Sequence, residues 1–315
     1  MNILVPITIT DAMIGAGTTI AEPAAGETAW TNTTYTQGQR VIRTTTHRVY
    51  ECVSPITTPT GIAPEDDTAA IPVRWLDAGP TQRYAPFDTY TNTAATATTS
   101  ITYVLNPGYF NAISLYGLTG TQIVVSVKDA PGGTEIYRYP ATGAASLTEP
   151  PTGWYDYMFG KRRPIKKLVL SNLPIRPTAE LTITVTAATG AAVGIGMINV
   201  GDLTPLLGDS EWGGVTGGAS AEPTSYSYIK TNDDGTTTIK RRGKSTNLRA
   251  TVVIPRQKAD AALATVQQVL DVPVSWIATT SQGFDGLNVF GIGSCSMSYD
   301  SFGIATLQVN VKGLI

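Results

Sequence analysis

Residues 121–140, TQIVVSVKDAPGGTEIYRYP, decide the fold class of this chain. Apolar and polar side chains alternate on both sides of a turn that contains Gly132 and Gly133. This is the pattern of two antiparallel strands joined by a hairpin. Further apolar strands are predicted at ITYVL (101–105) and ELTITVTAA (180–188), and their spacing is typical of an antiparallel β-sandwich.

The composition also predicts a β-rich protein. The chain has 315 residues, enough for roughly two or three domains, and it is rich in threonine, which favours strands. Only 15% of residues are charged and the net charge is −2, so nothing indicates a phosphate-binding surface or nucleic-acid specificity. Cys52 and Cys295 are far apart in sequence and fit neither a disulfide framework nor a metal site, which predicts two buried free thiols.

Shifts in composition divide the chain into five predicted segments. They are an N-terminal strand or arm (1–24), a small unit with its junction (25–88), a β-sandwich (89–205), a Gly-rich linker (206–223) and a C-terminal β-domain (224–315). Small and aliphatic side chains recur at helical spacing in residues 256–270, which predicts one α-helix in the last segment.

The sequence favours a protein without enzymatic activity. His47 is the single histidine, inside a predicted strand, and a general base also needs an orienting partner. The motifs of serine hydrolases, zinc proteases and phosphate-binding loops are missing, and we expect no cofactor and no metal. Two alternatives stay open. A glycosidase carboxylate pair can be distant in sequence, and Glu65, Asp66 and Asp67 offer calcium ligands without EF-hand spacing.

Two short basic runs are the main charge features. KRRPIKK (161–167) could contact an anionic glycan or a neighbouring subunit, or could be the solvated flank of a strand. KRRGK (240–244) ends a predicted hairpin whose turn is Asn-Asp-Asp-Gly (232–235), a strong turn signal between alternating strands. Neither run has the interleaved aromatics of a nucleic-acid platform. The chain has no apolar run of about 18 residues and no basic leader, so we expect no membrane segment, no secretion signal and synthesis in a cytoplasm.

Fixed spacings of aromatic residues and glycine mark the small unit. The marked positions are Trp30, Tyr35, Gly38, Val41, Tyr50, Trp75 and Gly79. The pattern resembles the chitin-binding-like modules of carbohydrate-binding families 5 and 12, which are three-stranded minidomains with aromatic cores. The resemblance implies core positions for Trp30, Tyr35 and Val41. It makes Tyr50 and Trp75 the candidate rings for stacking on a sugar.

The run that continues this unit is the most specific feature of the sequence. Residues 75–88, WLDAGPTQRYAPFD, resemble a segment of tailed-bacteriophage tail proteins that joins such a minidomain to a β-sandwich. We expect Arg83 and Asp88 to pair and lock this junction. Residues 110–139 are similar to the jelly-roll-like sandwich that follows it in those proteins, and the order of elements in 224–315 resembles ring-forming domains near the end of tail tubes.

The resemblance implies a structural virion protein of the tail tip or baseplate, made in the host cytoplasm. Its expected partners are further copies of the chain, in a homo-oligomeric ring, and other tail proteins such as tube, hub and fibres. The alternative is a receptor- or glycan-binding tail protein in which Tyr50 and Trp75 contact a host surface polysaccharide. A cell-wall or polysaccharide hydrolase is a third hypothesis, for which the sequence offers no recognisable catalytic set.

Overall fold

The protein is mainly β, as the alternating pattern predicts. Strands make up 44% and helices 9% of the chain, and the dominant feature is a curled antiparallel sheet in the form of a half-barrel. The structure is a computed structural model that describes residues 1–67, 70–90, 93–206, 214–279 and 284–314.

Within those residues 22 strands form five sheets. The first eleven are β1 (Asn2–Pro6), β2 (Arg40–Arg43), β3 (Arg48–Cys52), β4 (Trp75–Pro80), β5 (Ala95–Thr98), β6 (Ser100–Leu105), β7 (Ala112–Tyr116), β8 (Gln122–Lys128), β9 (Glu135–Tyr139), β10 (Ala145–Ser146) and β11 (Lys167–Leu170). The others are β12 (Glu180–Thr186), β13 (Ala192–Ile195), β14 (Met197–Pro205), β15 (Gly214–Val215), β16 (Ser220–Ser225), β17 (Tyr228–Thr231), β18 (Thr237–Lys240), β19 (Lys244–Pro255), β20 (Val274–Ile277), β21 (Asn288–Ser298) and β22 (Ile304–Gly313).

Two α-helices accompany the strands in the described part of the chain. They are α1 (Trp154–Phe159) and α2 (Arg256–Gln268). The second lies where helical spacing predicts a helix at 256–270 and ends two residues earlier, whereas the first was not predicted, because six residues are too few to show a period. Among the described residues no helix is long and apolar enough to cross a membrane.

The N-terminal strand holds the largest sheet together. That sheet has ten strands in the order β11-β7-β14-β1-β20-β21-β22-β19-β15, with β16 also paired to β19. β1 is antiparallel to β14 on one side and to β20 on the other. One continuous sheet therefore contains strands from segments 1–24, 89–205 and 224–315. The segment boundaries stay predictions drawn from composition, which carries no information on long-range pairing.

The sheet curls so strongly that β7 meets β20 across two intervening strands. The hydroxyl oxygens of Ser114 in β7 and Ser275 in β20 are 2.8 Å apart, and the Asn199 amide of β14 donates to Ser275 at 3.1 Å. All three side chains are buried. Buried polar groups are tolerated when they bond one another. The same concave face also carries Leu4, Ala112, Tyr116, Met197, Ile277 and Phe290.

Two larger cores cover the opposite, convex face. In the first, Ile113 and Leu115 of β7 pack against a five-stranded sheet, in which β10, β8, β12 and β6 are neighbours and β9 pairs with β8. In the second, Val266 of α2 packs with Trp276 and Leu248 of the strands beneath it. Strand β7 is thus buried on both faces, which explains why four of its five residues are apolar or aromatic.

Two predicted strand patterns differ from the structure. Residues 191–200 predict one strand but contain β13 and the beginning of β14, which are separated by Gly196 and belong to different sheets. The patterns at 287–293 and 294–300 predict two strands, whereas residues 288–298 form the single strand β21. Of the predicted linker 206–223, residues 207–213 lie outside the described residues, and the rest contributes β15 and most of β16.

Replacement of Ser275 by alanine tests the curl of the sheet. The change leaves the buried Asn199 amide and Ser114 hydroxyl without their shared partner, so we expect a loss of about 1–3 kcal/mol in the free energy of unfolding, measured by urea denaturation. Ser294→Ala, on the exposed side of β21, is the control and should change stability by less than about 0.5 kcal/mol. Equal effects of the two changes would contradict the structural role of the buried hydroxyl pair.

Candidate functional site

The small unit has a core of its own, made mostly of aromatic residues. Strands β2, β3 and β4 form a three-stranded antiparallel sheet. Its buried side chains, together with two from the adjoining loops, make up the core, which consists of Tyr35, Val41, Tyr50, Cys52, Ile56 and Trp75. The Tyr35 and Trp75 rings meet edge to face, 5.0 Å between centroids. The Tyr35 hydroxyl donates to the Thr31 carbonyl at 2.7 Å, so this ring closes the core with its polar end satisfied.

Neither of the two candidate sugar-stacking rings lies at the surface. Tyr50 is 8% exposed and Trp75 is 6% exposed, and both belong to the core just described. A ring that stacks on a sugar must present a face to solvent, so the structure offers no sugar contact at these positions. Trp30, expected in the core, is only partly buried, with the Arg43 guanidinium 4.9 Å from its ring centroid.

Backbone conformation explains why glycine occupies two positions of the pattern. Gly38 has φ 86° in the turn before β2, and its amide donates to the carbonyl of Cys52, the last residue of β3, at 2.7 Å. Gly79 has φ 120° beside an irregularity in the pairing of β3 and β4. Positive φ favours glycine over any residue with a Cβ. The spacing of the pattern therefore reports backbone geometry and core packing.

A polar cluster joins the small unit to the rest of the chain. The Glu22 carboxylate accepts hydrogen bonds from Thr81 Oγ1 at 2.6 Å and lies 2.8 Å from His47 Nδ1. The Tyr84 ring stacks on the His47 ring at 3.8 Å, and its hydroxyl donates to Asp11 at 2.9 Å. Burial, followed by this contact with Asp11, raises the pKa of Tyr84. We refer to these five residues as the junction cluster.

The single histidine belongs to this cluster and not to a strand. His47 lies in the turn between β2 and β3 with φ 55°, and its backbone carbonyl accepts from the Thr81 amide at 2.9 Å. The orienting partner that a general base needs is present in Glu22. The Thr81 hydroxyl, however, is bonded to Glu22, and the Tyr84 ring covers one face of the imidazole. The arrangement positions two segments against each other.

Arg83 and Asp88 do not form the expected ion pair. The Asp88 carboxylate accepts from the Tyr90 amide at 2.9 Å and from Thr93 Oγ1 at 2.7 Å, so its donors lie within five residues. Burial raises the pKa of Asp88. Arg83 contributes its carbonyl oxygen, which accepts from the Tyr103 hydroxyl at 3.0 Å. The contacts that the structure places between residues 75–88 and the rest of the chain are instead those of the junction cluster and main-chain hydrogen bonds.

Two of the three acidic residues at 65–67 form ion pairs with arginines. Glu65 pairs with Arg43 at 2.8 Å, and Asp67 lies 3.4 Å from Arg74. Burial alone would raise the pKa of Glu65, but its hydrogen bond to Arg43 brings the value below the usual range. Within the described ranges no three metal-ligating side chains gather in one place. The geometry at this loop therefore favours ion pairing over a calcium site.

The two cysteines are free, and only Cys52 is buried. Its thiol lies in the core of the small unit and donates to the Ser54 carbonyl at 3.1 Å. Cys295, expected to be buried, is half-buried in β21, where desolvation raises its pKa to about 11. Both thiols are therefore protonated at neutral pH and poor nucleophiles.

The surface carries two projecting elements. The first is the hairpin of β17 and β18, in which all eight strand residues are exposed. Its turn is the predicted Asn-Asp-Asp-Gly, with Gly235 at φ 81°. Ile229 and Ile239 face each other across the pair, 65% and 59% exposed. Hydrophobic side chains so placed in both strands indicate a surface that contacts another molecule.

The second projecting element is α1, which sequence reasoning missed. Large apolar residues fill five of its six positions, and all five are exposed. The only signal in the sequence is this dense aromatic stretch between Gly153 and Gly160. The basic run 161–167 follows directly; its first three residues are exposed, whereas Lys167 lies in β11, where its amine donates to the Asn288 carbonyl at 3.0 Å and burial lowers its pKa.

Comparison with known proteins identifies no relative, since no protein family, no curated protein and no solved structure matches this chain.

Replacement of Trp75 by alanine tests the core assignment of the small unit. We expect a loss of about 3–5 kcal/mol, because the change removes a buried indole from a core of seven side chains, measured by thermal or urea unfolding. Leu76→Ala, at the neighbouring exposed position, is the matched control. A Trp75→Ala protein as stable as the control would restore this residue as a candidate for ligand binding.

Replacement of Glu22 by alanine tests the junction cluster. It removes the acceptor of Thr81 and the partner of His47, so we expect a loss of about 1.5–3 kcal/mol in the free energy of unfolding. In a double-mutant cycle with His47→Ala, the two changes should be coupled, because each removes the same contact. Additive effects would show that Glu22 and His47 act independently.

Proposed function

We propose that the protein is a structural component of a bacteriophage tail that assembles as a homo-oligomeric ring at the tail tip or baseplate. The observation that carries this proposal is the projecting hairpin of β17 and β18. An isolated two-stranded hairpin is at best marginally stable in water. A hairpin with Ile229 and Ile239 exposed in both strands gains stability when a neighbouring subunit covers it.

The edges of the large sheet support the same proposal. Among the residues that the structure describes, β16 has β19 as its one strand partner, so its other edge could accept a neighbouring strand. Pro223 lies within β16. Proline has no backbone N–H to donate to a neighbouring strand, so within sheets it is found mainly in edge strands, and its presence here agrees with an edge position for β16. A curled sheet with free edges and a projecting hairpin is suited to edge-to-edge or hairpin-mediated assembly around a common axis.

The proposal includes the finer fold expected from the phage resemblance. Residues 25–88 act as a carbohydrate-binding-like minidomain, supported by the three-stranded sheet and its separate aromatic core. Residues 89–205 act as a jelly-roll-like sandwich, supported by the core shared between the five-stranded sheet and β7. In this proposal the minidomain is a structural module attached through the junction cluster, and the chain carries out no catalytic step.

A receptor-binding role through the minidomain is the weaker alternative. It depended on Tyr50 and Trp75, whose rings are covered by neighbouring side chains. Sugar binding at this unit would require another aromatic surface, and Trp30, partly buried under the Arg43 guanidinium, is the one ring of its pattern near solvent. We therefore propose tail structure as the main function.

The location of the protein is tested on purified particles of the virus that encodes it. We expect mass spectrometry to detect the chain in tailed particles, and electron microscopy with a specific antibody to label the end of the tail. Particles that lack the chain, or label on the capsid alone, would refute the proposal.

Assembly is tested with the double variant Ile229→Ser and Ile239→Ser. Loss of two interface aliphatics should weaken self-association at least about tenfold, measured by light scattering over a concentration series, while the unfolding temperature stays unchanged. Ile71→Ser, at a position that is 98% exposed outside the hairpin, is the control and should leave association intact. Unchanged association of the double variant would exclude the hairpin as the ring contact.

A further inference from the structure

The aromatic helix α1 lies at the end of a loop whose two sides are hydrogen-bonded to each other. The two sides of this loop are held by hydrogen bonds from the Glu149 amide to the Arg163 carbonyl at 2.9 Å and from the Ile165 amide to the Leu147 carbonyl at 2.7 Å. Between them, the Thr152 amide donates to the Asp156 carboxylate at 3.0 Å and steadies the first turn of α1. We call residues 150–163 the tip.

The tip exposes more apolar surface than a monomer normally leaves in water. The exposed fractions are 83% for Trp154, 79% for Tyr155, 55% for Tyr157, 64% for Met158 and 73% for Phe159. Aromatic side chains bury roughly 150–250 Å² each. The combined surface therefore matches or exceeds the largest apolar patch of a typical monomer, about 300–600 Å², and such patches mark interaction sites.

The apolar side chains surround the helix instead of forming one stripe. At about 100° per residue they cover more than half of its circumference, and Asp156 occupies the remaining side. A groove on another protein that received one face would leave rings on other faces in water. An acyl-chain interface, in contrast, rearranges around a small protrusion and covers it on all sides.

Positive charge follows the apolar residues directly. Lys161, Arg162 and Arg163 are exposed, and the Arg162 guanidinium lies 5.8 Å from the Tyr157 ring centroid. Glu149 and Asp156 line the same small cleft, so the tip keeps a modest positive charge on a chain whose net charge is −2. Aromatic residues beside arginine and lysine are the composition of segments that lie in the interface of anionic membranes.

We propose that the tip docks on the surface of an anionic lipid bilayer. Trp154, Phe159 and their neighbours enter the boundary between headgroups and acyl chains, and the three basic residues contact acidic headgroups. The side chains of Met158 and Phe159 have no hydrogen-bond donor and at most one weak acceptor, and are poorly suited to a sugar surface, which favours lipid over an anionic glycan. The binding does not depend on the tail function proposed above.

Flotation of the full-length protein with vesicles tests this proposal. We expect the protein to float with mixed phosphatidylcholine–phosphatidylglycerol vesicles and not with phosphatidylcholine alone. Lys161→Gln, Arg162→Gln and Arg163→Gln together should weaken binding about 100-fold, because each charge near an anionic surface contributes about fivefold. Higher salt should weaken binding of the unchanged protein, since headgroup attraction is screened.

The double variant Trp154→Ser and Phe159→Ser should lose vesicle binding with an unchanged unfolding temperature, because both residues are exposed. Phe302→Ser, at an equally exposed aromatic position outside the tip, is the control and should bind as the unchanged protein does. Three outcomes would overturn the proposal. They are equal binding to both vesicle types, retention of binding by the double variant, and loss of self-association without vesicles in the double variant, which would assign the tip to a contact between copies.

Discussion

The large sheet depends on the pairing of β1 along both of its edges. Its five residues pair with β14 on one side, and the first three of them also pair with β20 on the other, so a segment from the N-terminus joins strands that are distant in sequence. Gly201, opposite Pro6, is required by this pairing, because a Cβ there would overlap the Val5 carbonyl oxygen. The curl follows from the same arrangement, since the buried Ser114 and Ser275 satisfy each other only when β7 approaches β20.

The large sheet, here called the body of the protein, and the projecting elements differ in how their apolar side chains are exposed to water. In the body, β7 and β20 are buried on both faces, and their polar side chains are paired. In the hairpin of β17 and β18 and in α1, large apolar side chains face water. A chain whose stability comes from the body can present such elements, and their covering by a partner then adds binding energy without refolding the body.

The junction cluster shows how a small unit is held without a shared apolar core. The core around Trp75 is separate from the cores of the large sheet. Glu22, His47 and Tyr84 connect the two through hydrogen bonds and ring stacking. Hydrogen bonds to a buried charge contribute more than neutral ones, so few contacts suffice. Hydrogen bonds and ring stacking depend on the direction of approach, so these few contacts also define the orientation of the small unit relative to the large sheet.

The sequence by itself determined the β-rich class, the helix near 256–270, the hairpin turn at Asp233–Gly235 and the aromatic composition of the small unit. Local period and turn chemistry carry these features. Only the tertiary structure decided that the rings of Tyr50 and Trp75 are buried and that the apolar side chains of α1 are exposed to solvent. It also decided that the Asp88 carboxylate accepts a hydrogen bond from Thr93 instead of pairing with Arg83. Burial and pairing depend on residues far apart along the chain, and no local pattern reports which side of an aromatic residue another segment will cover.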